Sequence, residues 1–117
     1  MNTEIILKLQ ELLDILYTKT GLLEIESAKI VIKNVLLHGN VDDFIEPIKK
    51  QIVLFVSQKK SQILAEDMTI FDENINDKTL STIFQHVRNE RKKFDEKEIK
   101  ELWTKIKLLI GKVLSSY

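Results

Sequence analysis

The chain has 117 residues, 18 acidic and 18 basic side chains, and no cysteine. That length suits one compact domain, and the missing thiols exclude disulfide scaffolds, cysteine zinc sites and thiol catalysis. Zero net charge argues against the chain as a whole being a polyanion binder, and a hydrophobic content of 44% is too high for a disordered chain.

The first element is an amphipathic helix. Ile5, Ile6, Leu9, Leu12, Leu13 and Leu16 recur at spacings of three and four, with Lys8, Glu11 and Asp14 on the other side. Thr3 is the expected N-cap and Gly21 the expected terminator. Leu7 and Ile15 lie off the stripe and predict that this helix is covered on more than one face. In residues 24–38 the β-branched run Ile30-Val31-Ile32 suits a strand. Read as a helix, the same segment aligns Ala28, Val31, Ile32, Val35 and Leu36 and stops at Gly39. Helix is favoured, because no other segment offers a strand to pair with.

A third helix is expected to open at Asp42 or Asp43, with Pro47 in its first turn and Ile45, Ile48, Ile52 and Phe55 along its apolar side. The polar run Ser57 to Gln62 is either an exposed continuation or a break. Residues 66–77 read as a loop pinned by Met68, Ile70, Phe71 and Ile75. A fourth helix follows from about Asp77 to Lys93, with Leu80, Ile83, Phe84 and Val87 inward. Asp95 and Glu98 form a capping-box start for a fifth. That helix carries the strongest period: Ile99, Leu102, Trp103, Ile106, Leu109, Ile110, Val113 and Leu114. The expected fold is all-α, one antiparallel bundle of four to five helices in a single domain over residues 1–117.

Targeting signals are not apparent. Met1 to Lys8 lack the pattern of a secretory leader. The longest apolar run, Ile52 to Val56, is far below the roughly 18 residues a membrane helix needs. A cytoplasmic protein with no membrane contact is expected. Codon-linked composition, rich in Ile, Lys and Asn and poor in Ala and Arg, suggests an AT-rich source such as a phage or mobile element.

Catalytic chemistry finds little support. His38 and His86 are the only histidines, they are not spaced as a ligand pair, and sequence alone joins neither to a nucleophile and an acid. Asp72, Asn74 and Asn76 imitate the opening of a calcium loop. The sixth position, which needs Gly, is Asp77, and the twelfth, which needs a bidentate acid, is Ile83. No glycine-rich phosphate loop is present. No enzyme activity, metal or cofactor is therefore expected. Trp103 is expected in the core rather than exposed as a binding anchor.

Arg88, Arg91, Lys92, Lys93 and Lys97 form the main basic cluster. The stretch Val87-Arg88-Asn89 followed by a new helix resembles part of the RNase-associated helical domains called HEPN. Those carry a His shortly after the Arg-Asn pair, and Glu90 to Phe94 contain none. The resemblance does not identify the family; it implies at most a non-catalytic relative.

The zero net charge hides an asymmetry. Residues 1–76 sum to −4 and residues 77–117 to +4. The two parts either attract each other within one bundle or form patches that steer partners or a second copy. The expected function is that of a small non-enzymatic regulatory or inhibitory protein-binding module, of immunity, anti-defence or phage-accessory type. Its expected protein-binding residues are Asp67, Asp72, Glu73, Arg88, Arg91 and Lys92. The alternative is a nucleic-acid-binding protein using Arg88, Arg91, Lys92, Lys93 and Lys97. Oligomeric state is left open, since the apolar fifth helix suits either closing one bundle or joining two.

Overall fold

The stripe from Ile5 to Leu16 does fold as a helix, α1 (Asn2–Thr20), and it is the spine of the molecule. The computed structural model describes residues 2–21 and 23–117. After α1 come α2 (Leu23–His38), α3 (Val41–Leu64), a 3₁₀ turn (Met68–Asp72), α4 (Lys78–Glu90), a second 3₁₀ turn (Arg91–Lys93) and α5 (Glu96–Ser115). No strand occurs among the described residues, so the all-α bundle stands and the Ile30-Val31-Ile32 run is helical.

Why α1 is central follows from the width of its stripe. Leu9 and Leu16 sit about two turns apart on one line, and Ile6 and Leu13 on another. All four are buried, with Ile5 and Leu12 beside them, so α1 offers apolar surface to all four other helices at once. Each such side chain contributes about 1.5–3 kcal/mol on burial. Along α5 the partners run in reverse order: Glu4 with Lys112 (3.5 Å), Glu11 with Lys105 (3.5 Å) and Lys19 with Glu98 (2.8 Å). The two helices are therefore antiparallel. Leu7 departs from expectation. It shares a face with Glu4 and Glu11, whose ion pairs lie at the surface, and it stays exposed while Ile15 is half-buried.

The helix ends explain several further differences. Thr3 lies inside α1 rather than at its cap, and the capping position falls outside the described residues. Gly21 takes a left-handed φ of 61° and its N–H donates to Tyr17 O at 2.7 Å, ending α1 where a Cβ would be strained. Only Gly39 and Asn40 join α2 to α3, so α3 starts at once. Asn40, not Asp42 or Asp43, is its N-cap, with Oδ1 accepting from both of their N–H groups at 3.1 and 3.3 Å. The two aspartates sit in the first turn, where negative charge suits the helix dipole. Pro47 is consequently the seventh residue of α3, beyond the first turn, and leaves the Asp43 carbonyl without its helical N–H donor. Both residues are exposed.

The run Ser57 to Gln62 remains helical, with a kink at Lys59 (φ −121°, ψ 22°). Asp77 caps α4 through the Leu80 N–H at 3.0 Å, and α4 tightens into the second 3₁₀ turn instead of running through Lys93. The Asp95–Glu98 capping box forms in both directions, at 2.8 and 3.0 Å.

Core packing follows the stripes of α4 and α5, except that Leu114 and, on α2, Val31 are exposed. An aromatic chain crosses the interior: Phe55 to Phe84 (5.3 Å between centroids), Phe84 to Phe71 (5.0 Å) and Phe71 to Trp103 (5.9 Å). It borders an apolar cavity of about 50 Å³ between α3, α4 and α5. Lys49 is the one buried charged residue among the described residues. Its buried amine donates to Asn2 Oδ1 (3.1 Å) and Glu46 Oε1 (3.2 Å) and lies 4.8 Å from the Tyr117 ring centroid. Hydrogen bonds from Asn2 and Lys49 hold the Glu46 carboxyl below its ordinary range. No helix among the described residues is long and apolar enough to cross a membrane.

Candidate protein-binding surfaces

The expected acidic loop is built as a small folded unit. Ile70 and Phe71 are buried, and Met68 and Ile75 are half-buried, as the apolar spacing predicts. Glu66 opens the segment with a left-handed φ of 53°, a conformation that costs an ordinary residue about 1–2 kcal/mol. Its carboxylate pairs with Lys107 at 2.7 Å, and that hydrogen bond holds it below the ordinary carboxylate range. Asp67 caps the first 3₁₀ turn, accepting from the Thr69 N–H (3.0 Å) and hydroxyl (2.8 Å). These bonds, the backbone one foremost, hold its carboxyl low as well.

The basic cluster meets this unit directly. Arg88 donates from Nε to Phe71 O at 2.8 Å and from Nη2 to Glu73 O at 3.2 Å. Arg91 Nη1 lies 3.3 Å from Asp72 Oδ1, with Arg88 Nε at 3.9 Å from the same oxygen, and Lys59 pairs with Glu73 at 3.0 Å. Four of the six residues expected to bind a protein, Asp72, Glu73, Arg88 and Arg91, are thus brought together and engage one another. Asp67 stands apart in its own turn. Lys92 is exposed and forms no ion pair among the described residues. The five basic residues do not share one open face. Arg88 and Arg91 serve the loop, Lys93 pairs with Glu90 at 2.8 Å, and Lys97 is exposed at the start of α5.

A second surface lies between the N-terminal halves of α2 and α3 and the start of α4. Leu23, Ala28 and Val31 from α2 and Phe44, Pro47 and Ile48 from α3 line a groove of about 640 Å³. Thr79 and Thr82 close it on the α4 side. Glu24, Asp43 and Asp77 stand in its wall against a single base, Lys78. Sequence reading missed this groove, because its parts come from three distant segments. The available signal was Leu23, a large apolar residue outside the α2 stripe.

Neither histidine hydrogen-bonds to a hydroxyl or carboxylate among the described residues, and the buried Nδ1 of His86 has no partner. No group of His, Asp and Glu among the described residues is placed to hold a metal ion. Trp103 is fully buried, its Nε1 without an acceptor, so it belongs to the core as expected.

Compared with protein-family models, curated proteins and solved structures, the chain matches none.

Proposed function

We propose that the protein is a small non-enzymatic binding module of regulatory or inhibitory type whose ligand is a segment of another protein. The groove between α2, α3 and α4 carries this reading. Its lining joins exposed apolar side chains, Leu23, Val31 and Pro47, to three carboxylates and one amine. That chemistry favours a segment with an apolar anchor flanked by Lys or Arg. An immunity, anti-defence or phage-accessory setting suits the chain's size and codon bias, and in this reading it acts in the cytoplasm. The paired loop and basic cluster act as rigid support beside the groove. The nucleic-acid alternative rests on Lys92 and Lys97, because Arg88 and Arg91 already donate to the loop and Lys93 pairs with Glu90.

A peptide library screened on the purified protein tests the proposal. Binders should be enriched in Leu, Ile or Phe flanked by Lys or Arg, and Val31→Arg should abolish their capture. Asp67→Lys should leave it intact. Retention by Val31→Arg, or equal capture of peptides flanked by Asp and Glu, would sink the groove as the site. A gel shift on RNA or DNA that weakens steeply with salt would favour the alternative.

A further inference from the structure

The outer side of α2 carries an apolar line that borders the groove and shares Leu23 with its lining. Leu23, Ile30 and Leu37 are 71%, 54% and 63% exposed. They are seven residues apart, and seven residues turn a helix through about 700°, only some 20° short of two turns. The three side chains therefore form one line about 21 Å long. Ile25 and Ile32, the two fully buried residues of α2, lie on the opposite side.

We propose that this line is where a second copy of the chain docks, antiparallel, with Ile30 of each copy at the two-fold axis. The polar residues beside the line select that occupant. Glu26 and Lys33 flank it on one side, Ser27 and Asn34 on the other. All four are exposed, and none has a side-chain hydrogen bond or ion pair among the described residues. An antiparallel two-fold sets each flank against the same flank reversed. Each residue before Ile30 then faces a residue about as far after it in the other copy. Leu23 meets Leu37 of the second copy, and Ile30 meets Ile30. Glu26 meets Lys33 and Ser27 meets Asn34, each twice. A parallel pairing sets the charged flank against Ser27 and Asn34 and leaves all four charges unpaired. The face is therefore complementary to itself in one orientation.

Light scattering across a concentration series tests this. The protein should reach twice the 13.7 kDa of one chain, and Ile30→Glu should return it to one chain with an unchanged circular dichroism spectrum. Glu26→Lys should weaken the dimer by about tenfold, since two attractive pairs become repulsive, and adding Lys33→Glu should restore it. The chain has no cysteine, so Ile30→Cys should give a covalent dimer under mild oxidation while Thr104→Cys on α5 does not. A single-chain mass throughout the series, a dimer that survives Ile30→Glu, or a charge swap that fails to restore association would each overturn the proposal. Ile30, unlike Leu23 and Ser27, does not line the groove, so Ile30→Glu tests the dimer without changing the groove, and peptide capture by that single-chain variant tests the groove separately.

Discussion

The guanidinium Nε of Arg88 donates to the carbonyl oxygen of Phe71 at 2.8 Å, so a charged group at the surface satisfies a backbone acceptor next to the core. Arg88 also reaches Glu73 O, which fixes both sides of Asp72. Removing it leaves the Phe71 carbonyl without this donor. Arg88→Ala should cost about 1–2 kcal/mol in denaturant unfolding, the low end for charged hydrogen bonds because the side chain is partly exposed. Hydrogen exchange should speed up across residues 66–77. Arg88→Lys should recover less than half of the loss, because an ammonium lacks the planar fork that reaches two carbonyls. Equal stability of Arg88→Ala and the parent would sink this account.

The start of α5 depends on a reciprocal pair. Asp95→Ala should lower stability by about 1 kcal/mol, a melting-temperature drop of roughly 4–6 °C, and Asp95→Asn should lose little. Glu98→Ala should cost more than Asp95→Ala, because Glu98 accepts from the Asp95 N–H and also pairs with Lys19 on α1. Calorimetry of the three variants checks the order.

Acid should unfold the bundle through a small set of carboxylates. Glu46, Glu66, Asp67 and Glu98 are each held below their ordinary range, by hydrogen bonds from Asn2, Lys107, Thr69 and Lys19 respectively. The unfolded chain therefore takes up protons first as pH falls. Their contribution is complete above the ordinary carboxylate range, near pH 4, and is lost as pH falls from there through their lowered native values. Urea midpoints should be level from pH 7 to pH 5 and decline below about pH 4. The Glu66→Gln variant should show a shallower decline. A profile that Glu66→Gln leaves unchanged would remove that residue from the set.

Trp103, the only tryptophan, is an internal reporter. Its emission should be blue-shifted and resist iodide quenching, then move red on unfolding. Trp103→Ala should cost about 3–5 kcal/mol. Trp103→Phe should cost much less, since it removes an indole N–H that has no acceptor along with some packing volume. A red-shifted, readily quenched native spectrum would contradict the burial.

Much of the fold was legible because its signals are local. The α5 stripe, the Asp95-x-x-Glu98 box and the Asp77 cap each lie within one or two turns of chain. Asn40 was not legible as a cap, because Asn40, Asp42 and Asp43 are chemically equivalent candidates. The choice among them was made by the two-residue connection from α2. Nor could periodicity show that Leu7, Val31 and Leu114 stay exposed, since exposure depends on which neighbouring helix reaches each face. The Asp72–Arg91 contact was foreshadowed only as a charge imbalance between two parts of the chain. The groove left only Leu23 as a linear trace, since residues 23–31, 43–48 and 77–82 meet only after folding.

The three-sided tethering of residues 66–77, by Lys107, Lys59 and Arg88, has a consequence for recognition. The ordering entropy of this segment is met during folding. A ligand that touches it, or the groove whose wall includes Asp77, meets a surface already in its binding shape, so little of the interaction free energy is drained by rearrangement.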